Sequence, residues 1–66
     1  MKFFINNHSF ETINQFTITE LLFFFNLKDY PIAVELNGVF FDKKNWSGYF
    51  IQNFDEIEIV TIVGGG

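Results

Sequence analysis

The sequence predicts an α+β fold, a mixed sheet with one main helix packed on one face. Three observations carry this. Short runs rich in β-branched and aromatic residues recur at both ends of the chain and around an Asn-Gly pair. One segment alone, near residues 17–26, spaces its apolar residues on a helical period. The resulting order is strand, strand, helix, strand, strand, turn, strand, and a sheet with a helix on one face accommodates it.

Residues 2–6 read as the first strand, with Phe3 and Ile5 on one face and Lys2, Phe4 and Asn6 on the other. Asn6-Asn7-His8-Ser9 is a turn signal, because asparagine tolerates positive φ and bonds its own backbone. Residues 9–13 then return as a second strand. A loop, Asn14-Gln15-Phe16, leads to the helix. Thr17 and Glu20 form the capping-box pattern, in which each side chain satisfies a free backbone donor. Ile18, Leu21, Leu22 and Phe25 follow at i, i+3, i+4 and i+7, one stripe expected in the core. Phe23 and Phe24 fall off it; they either pack under flanking loops or contribute to a docking surface. The helix is expected to end near Asn26, ahead of Pro31, which biases its predecessor away from helix.

Residues 32–36 read as a third strand. Asn37-Gly38 is a hairpin signal, since a type I′ turn needs two residues at positive φ. Residues 39–41 are the return strand, and Asp42 can cap a helical turn running to Trp46. Residues 47–51 are irregular or a short strand. Gln52 to Asp55 turn the chain into the last strand, residues 56–63. The first and last strands pair most simply in parallel at the centre of the sheet. That layout is the β-grasp arrangement, in which the last strand projects its C-terminal residues beyond the sheet. Ile57 and Ile59 then face the helix, and Glu56, Glu58, Val60 and Ile62 face away.

The last seven residues, Val60-Thr61-Ile62-Val63-Gly64-Gly65-Gly66, run from a β-branched strand into three glycines. The expected organisation is a domain over 1–63 and a flexible glycine tail over 64–66. The tail is either a frayed end or linker remnant, or the handle for chemistry at the Gly66 carboxylate. Without side chains it is thin enough to thread a narrow channel.

Composition bounds the rest. A chain of 66 residues is one small domain. A core of this size supplies about 3–5 kcal/mol at most. With no cysteine, disulfides, thiolate metal sites and thiol catalysis are excluded, as is a persulfide carried by the chain itself. Packing must therefore stabilise it, and 48% hydrophobic residues, with 11 phenylalanines among them, provide the material. The formal charge is -4 and the basic residues are Lys2, Lys28, Lys43 and Lys44, so no basic patch exists for nucleic acid. A negative surface suits a basic partner face. The longest strongly apolar run, Leu21 to Phe25, is too short to span a bilayer. The N-terminus lacks the pattern of a secretory signal, so the protein is expected to work where it is made, in the cytoplasm or an organellar stroma. Abundant Phe, Ile and Asn without Arg fits AT-rich coding and points to a plastid.

The ordered set Asn37-Gly38-Val39-Phe40-Phe41-Asp42-Lys43-Lys44-Asn45-Trp46, Ile51-Gln52-Asn53-Phe54-Asp55-Glu56-Ile57-Glu58-Ile59-Val60 and Val63-Gly64-Gly65-Gly66 resembles the ThiS family. So does Ile18-Thr19-Glu20-Leu21-Leu22 in the helix. ThiS proteins are ubiquitin-like β-grasp sulfur carriers of thiamine biosynthesis. Two departures stand out. Asp42-Lys43 replaces the usual Pro-Arg, so the charge is kept but the bidentate fork of arginine is lost. Asn53-Phe54-Asp55 replaces Asp-Gly-Asp; a bulky residue at positive φ is strained, so Asn53 is expected to adopt that conformation.

The resemblance implies a protein cosubstrate and not an enzyme. An adenylating, ubiquitin-activating-like enzyme would use ATP and magnesium to activate the Gly66 carboxylate. A persulfide sulfur donor would convert it to a thiocarboxylate, and thiazole synthase would receive the sulfur. No cofactor or metal would be bound by the chain. Gly64 and Gly65 would let the tail extend into narrow clefts. Val60, Ile62 and Phe4 would dock partners, and Glu56, Glu58 and Asp55 would meet basic residues, unless these carboxylates are simply a solvated face.

Other readings compete. The small subunit of molybdopterin synthase shares the fold and the terminal Gly-Gly, but usually approaches its tail through a Phe-Pro-Pro-like segment, here Val60-Thr61-Ile62-Val63. A ubiquitin-like modifier would use the same activated terminus to acylate lysines. An interaction module would carry an inert tail. Enzyme readings are weakest. His8 is the sole histidine and sits in an expected turn, and Glu56 and Glu58 alone make no metal site.

Overall fold

β1 (Lys2–Ile5) and β2 (His8–Glu11) form an antiparallel hairpin. The computed structural model describes residues 1–62. Asn6 and Asn7 both have positive φ, 48° and 69°, and together make the hairpin turn. His8, expected in the turn, is therefore already in β2, opposite Ile5. The second strand correspondingly starts one residue earlier than expected and ends at Glu11.

Thr17 caps α1 (Ile18–Phe24) through the full capping box: its hydroxyl accepts from the Glu20 N–H, and the Glu20 carboxylate accepts from the Thr17 N–H. Seven residues are too few for a stable isolated helix, so packing holds it in place. Ile18, Leu21 and Leu22 are fully buried against the sheet. Phe25 departs from the expected stripe: it is the C-cap, outside the last helical turn, and stays 39% exposed. The reason is the termination. Asn26 adopts φ 60°, its N–H donates to Phe23 O, and the Leu27 N–H donates to Leu22 O, which is the Schellman arrangement. Phe23 and Phe24 are exposed, so the flanking loops do not cover them.

β3 (Ile32–Leu36) and β4 (Val39–Phe40) pair across Asn37 and Gly38, at φ 53° and 84°. Asp42 caps a 3-10 turn (Lys43–Asn45) by accepting from the Lys44 N–H at 3.1 Å. This turn seats Trp46 in the core, where its indole N–H donates to Phe41 O. β5 (Glu56–Thr61) runs parallel to β1 and antiparallel to β3. The strand order is β2-β1-β5-β3-β4, with β5 at the centre as expected. The core between sheet and helix consists of Phe3, Ile5, Ile18, Leu21, Leu22, Val34, Trp46, Ile51 and Ile57.

One turn differs from expectation. Phe54, and not Asn53, takes the left-handed conformation, at φ 69°. Asn53 is committed elsewhere, because its Oδ1 accepts from the Lys2 N–H at 2.8 Å. The strain therefore falls on the bulky residue, whose ring is exposed.

Candidate functional site

The central strand β5 sets the site. Ile57 is buried and Ile59 packs against the core, so the alternation sends Glu56, Glu58 and Val60 to the sheet face that no helix covers. The ladder continues beyond the strand: the Ile62 N–H donates to Pro31 O at 2.7 Å. Val60 and Ile62 remain 55% and 51% exposed. An apolar pair thus stands where the chain leaves the sheet. Val63 and the tail residues Gly64, Gly65 and Gly66 lie outside the described residues.

Register gathers the other candidates. Phe4 lies opposite Glu56 across the β1–β5 pairing and is half-buried. Glu58 lies opposite Glu35, and Glu35 lies opposite Phe40. Paired residues share a face. The open face therefore carries Glu35, Glu56 and Glu58 between Phe4 on one side and Phe40, 65% exposed, on the other. Phe40 and Glu35 were not singled out from the sequence. The period-2 pattern of Ile32-Ala33-Val34-Glu35-Leu36 puts Glu35 outward, but only the register with β5 brings it beside Glu58. Among the described residues, no group of three or more His, Cys, Asp or Glu is placed to hold a metal ion.

Asp55 is not part of this surface. It is 6% exposed, and its carboxylate accepts from the Tyr49 hydroxyl at 2.6 Å, the Gln52 N–H at 2.8 Å and Asn37 Nδ2 at 3.0 Å. A buried carboxylate with three donors already on it is not open to a partner's cation. It ties the Asn37-Gly38 turn to the segment that enters β5. The Tyr49 hydroxyl is correspondingly pushed up to about 12, first by burial, then by its bond to Asp55 and by that negative charge.

Asparagines anchor β5 from both sides. Asn6 Oδ1 accepts from the Ile59 N–H at 2.8 Å, and its Nδ2 donates to Ile59 O at 3.1 Å. Asn37 Oδ1 accepts from the Glu56 N–H at 2.9 Å. These side chains extend the sheet ladder past the ends of β1 and β3, and hold rigid the strand that leads to the glycines.

This five-stranded sheet with one helix, and a central last strand running out towards the chain's end, define a ubiquitin-like β-grasp protein. A model of the ThiS family matches residues 4–66, and the chain belongs to the ThiS family. It is 44% identical over 64 residues to the uncharacterized protein ycf40 of Trieres chinensis, covering 97% of this chain and 88% of that one. The ycf40 protein of Porphyra purpurea is 31% identical over 62 residues, covering 94% and 87%. The crystal structure of a thiamine biosynthesis protein, ThiS, from Geobacter metallireducens aligns with a TM-score of 0.84 over 100% of both chains. Sequence identity there is 23%, so this likeness speaks for the fold. Membership of the family supports a sulfur-carrier role. No helix among the described residues is long and apolar enough to cross a membrane.

Proposed function

We propose that this chain carries sulfur for thiazole formation in thiamine biosynthesis, as a protein cosubstrate and not as an enzyme. A carboxylate is a poor acyl donor, so the Gly66 carboxylate must first be activated. A ubiquitin-activating-like enzyme, using ATP and magnesium, transfers AMP to it and releases pyrophosphate. The outer sulfur of a persulfide donor attacks the carbonyl carbon and AMP leaves. A thiol then cleaves the sulfur–sulfur bond, which leaves a thiocarboxylate and a disulfide. Thiazole synthase takes the sulfur. The missing cysteine accords with this, because the sulfur rides on the terminus.

One observation carries the reading: the family match runs through Gly66 and so includes all three glycines. The role of each residue follows from position. Val60, Ile62 and Phe4 dock partners on the open face, and Glu56 and Glu58 meet basic residues there. Gly64 and Gly65 allow the tail to extend into a cleft. The setting is the stroma of a plastid or the cytoplasm, with the plastid favoured by the Phe, Ile and Asn bias.

The test is an intact mass. The protein is incubated with the adenylating enzyme from the same source, ATP, magnesium and a persulfide donor. The expected shift corresponds to one oxygen replaced by sulfur, and is lost in a variant ending at Gly64. Sulfur transfer to thiazole synthase, and not to molybdopterin synthase, is expected next. No mass change and no ATP–pyrophosphate exchange would overturn the proposal and leave an interaction module with an inert tail.

A further inference from the structure

The molecule has a second unpartnered surface, on the helix side and at the far edge of the sheet. β2 is an edge strand. Met1 and Thr12 exchange both backbone bonds, at 2.7 and 2.9 Å. In an antiparallel ladder such pairs alternate, so Phe10 and His8 also direct their backbone groups at β1, and Ser9 and Glu11 direct theirs outwards. The N–H and C=O groups of Ser9 and Glu11 therefore face an open edge. The edge has neither proline nor lysine to discourage pairing.

Beside this edge lies a groove of about 530 Å³ between β2 and α1. Phe3, Phe10, Phe16, Phe24 and Phe25 line it. Phe24 is 79% exposed, which is costly for a helix residue with nothing to cover it. The ionisable residues of the lining are Glu11 and Glu20, both acidic, and the Glu20 carboxylate is already held by the Thr17 N–H of the cap.

We propose that this groove takes an extended, apolar segment of a partner protein flanked by lysine or arginine, which adds as a strand to the β2 edge. Main-chain bonds to Ser9 and Glu11 would fix its register. Alternate side chains would enter the phenylalanine groove, and a flanking cation on the other side of the added strand would meet Glu11, whose side chain shares the Lys2 face. A second copy of this chain fits less well. Edge-to-edge pairing would bring together two molecules each carrying a charge of -4. The groove stands apart from the proposed sulfur chemistry, since Phe3 and Phe10 line the helix side whereas Phe4 and Val60 lie on the opposite sheet face.

The test is an amide NMR titration of the whole chain with a synthetic peptide of alternating isoleucine and threonine, with a lysine at each end. Shifts are expected at Ser9, Glu11 and Phe24, with slowed hydrogen exchange of the Ser9 and Glu11 amides. Phe24→Asp should weaken binding by about tenfold or more, equal to about 1.4 kcal/mol. Glu11→Lys should weaken the lysine-ended peptide and tighten one ended by glutamates. Phe24 is exposed and the Ser9 N–H is unused by the sheet, so Phe24→Asp and Ser9→Pro should both fold, which thermal unfolding checks. No binding at millimolar peptide, shifts confined to Phe4, Val60 and Ile62, or unchanged affinity in both folded variants would each sink the proposal. So would a free chain that sediments as a dimer through this edge.

Discussion

Tyr49 donates to Asp55 at 2.6 Å, and this bond sets a pH limit on the fold. An unfolded tyrosine loses its proton near 10.0, whereas the folded one holds it up to about 12. Between those values unfolding releases a proton, so stability falls as pH rises. The contribution of Tyr49 is whole below pH 10 and is gone above about 12. In Tyr49→Phe, thermal unfolding at neutral pH should show a loss of about 1–2 kcal/mol, the worth of a bond to a charged group at a partly exposed site. The alkaline decline between 10 and 12 should also be shallower than in the parent. An unchanged alkaline slope would mean that another group governs it. Asp55 itself was legible in the sequence only as one more acidic residue near the last strand. Its burial depends on Asn37 arriving from the β3–β4 turn and on Tyr49 folding back over it, which no helical or strand period encodes.

At the scale of elements, the turns were the most legible parts and also the source of the main surprise. Asn6-Asn7 and Asn37-Gly38 adopt the positive φ that their residue types favour. Thr17 and Glu20 close the capping box that their spacing announces. The turn before β5 breaks this pattern, because Phe54 sits at φ 69° while Asn53 spends its side chain on Lys2. A left-handed non-glycine residue costs about 1–2 kcal/mol, and glycine forfeits about 0.5–1 kcal/mol in entropy. Phe54→Gly should therefore raise stability by about 0.5–1 kcal/mol, measured by denaturant unfolding. The ring is exposed, so little packing is lost. A destabilised variant would show that the Phe54 ring makes contacts of more value than the strain it imposes.

For the whole molecule, the arrangement of charge on the open face is the informative feature. Glu35 and Glu58 lie directly opposite each other on the two strands, an unfavourable pairing for like charges. The pairing suits the basic docking surface proposed above. Glu35→Lys converts repulsion into attraction and should stabilise the fold by about 0.5 kcal/mol at low salt, with the difference shrinking as salt is added. Under the proposed function, the same variant should be activated more slowly by the adenylating enzyme through weaker association, seen as a raised KM at unchanged kcat. Unaltered KM would place the docking surface elsewhere. The two faces of the molecule thus divide the candidate interactions: an acidic and apolar sheet face near the chain's end, and a phenylalanine groove at the β2 edge.

Local pattern determined a good deal by itself. The alternation of Phe3 and Ile5, the helical stripe of Ile18, Leu21 and Leu22, the cap at Thr17 and the two asparagine turns specify the elements, because neighbours along the chain carry those signals. The order of elements then leaves the last strand its place between β1 and β3. Tertiary structure alone decided what depends on register and on distant partners. It buried Asp55 under three donors, one of them Asn37 from the β3–β4 turn. It also aligned Phe40, Glu35 and Glu58 in one row and opened a groove beside β2. Secondary structure follows from interactions within a few residues, whereas burial and surface chemistry are set by which elements come to lie side by side.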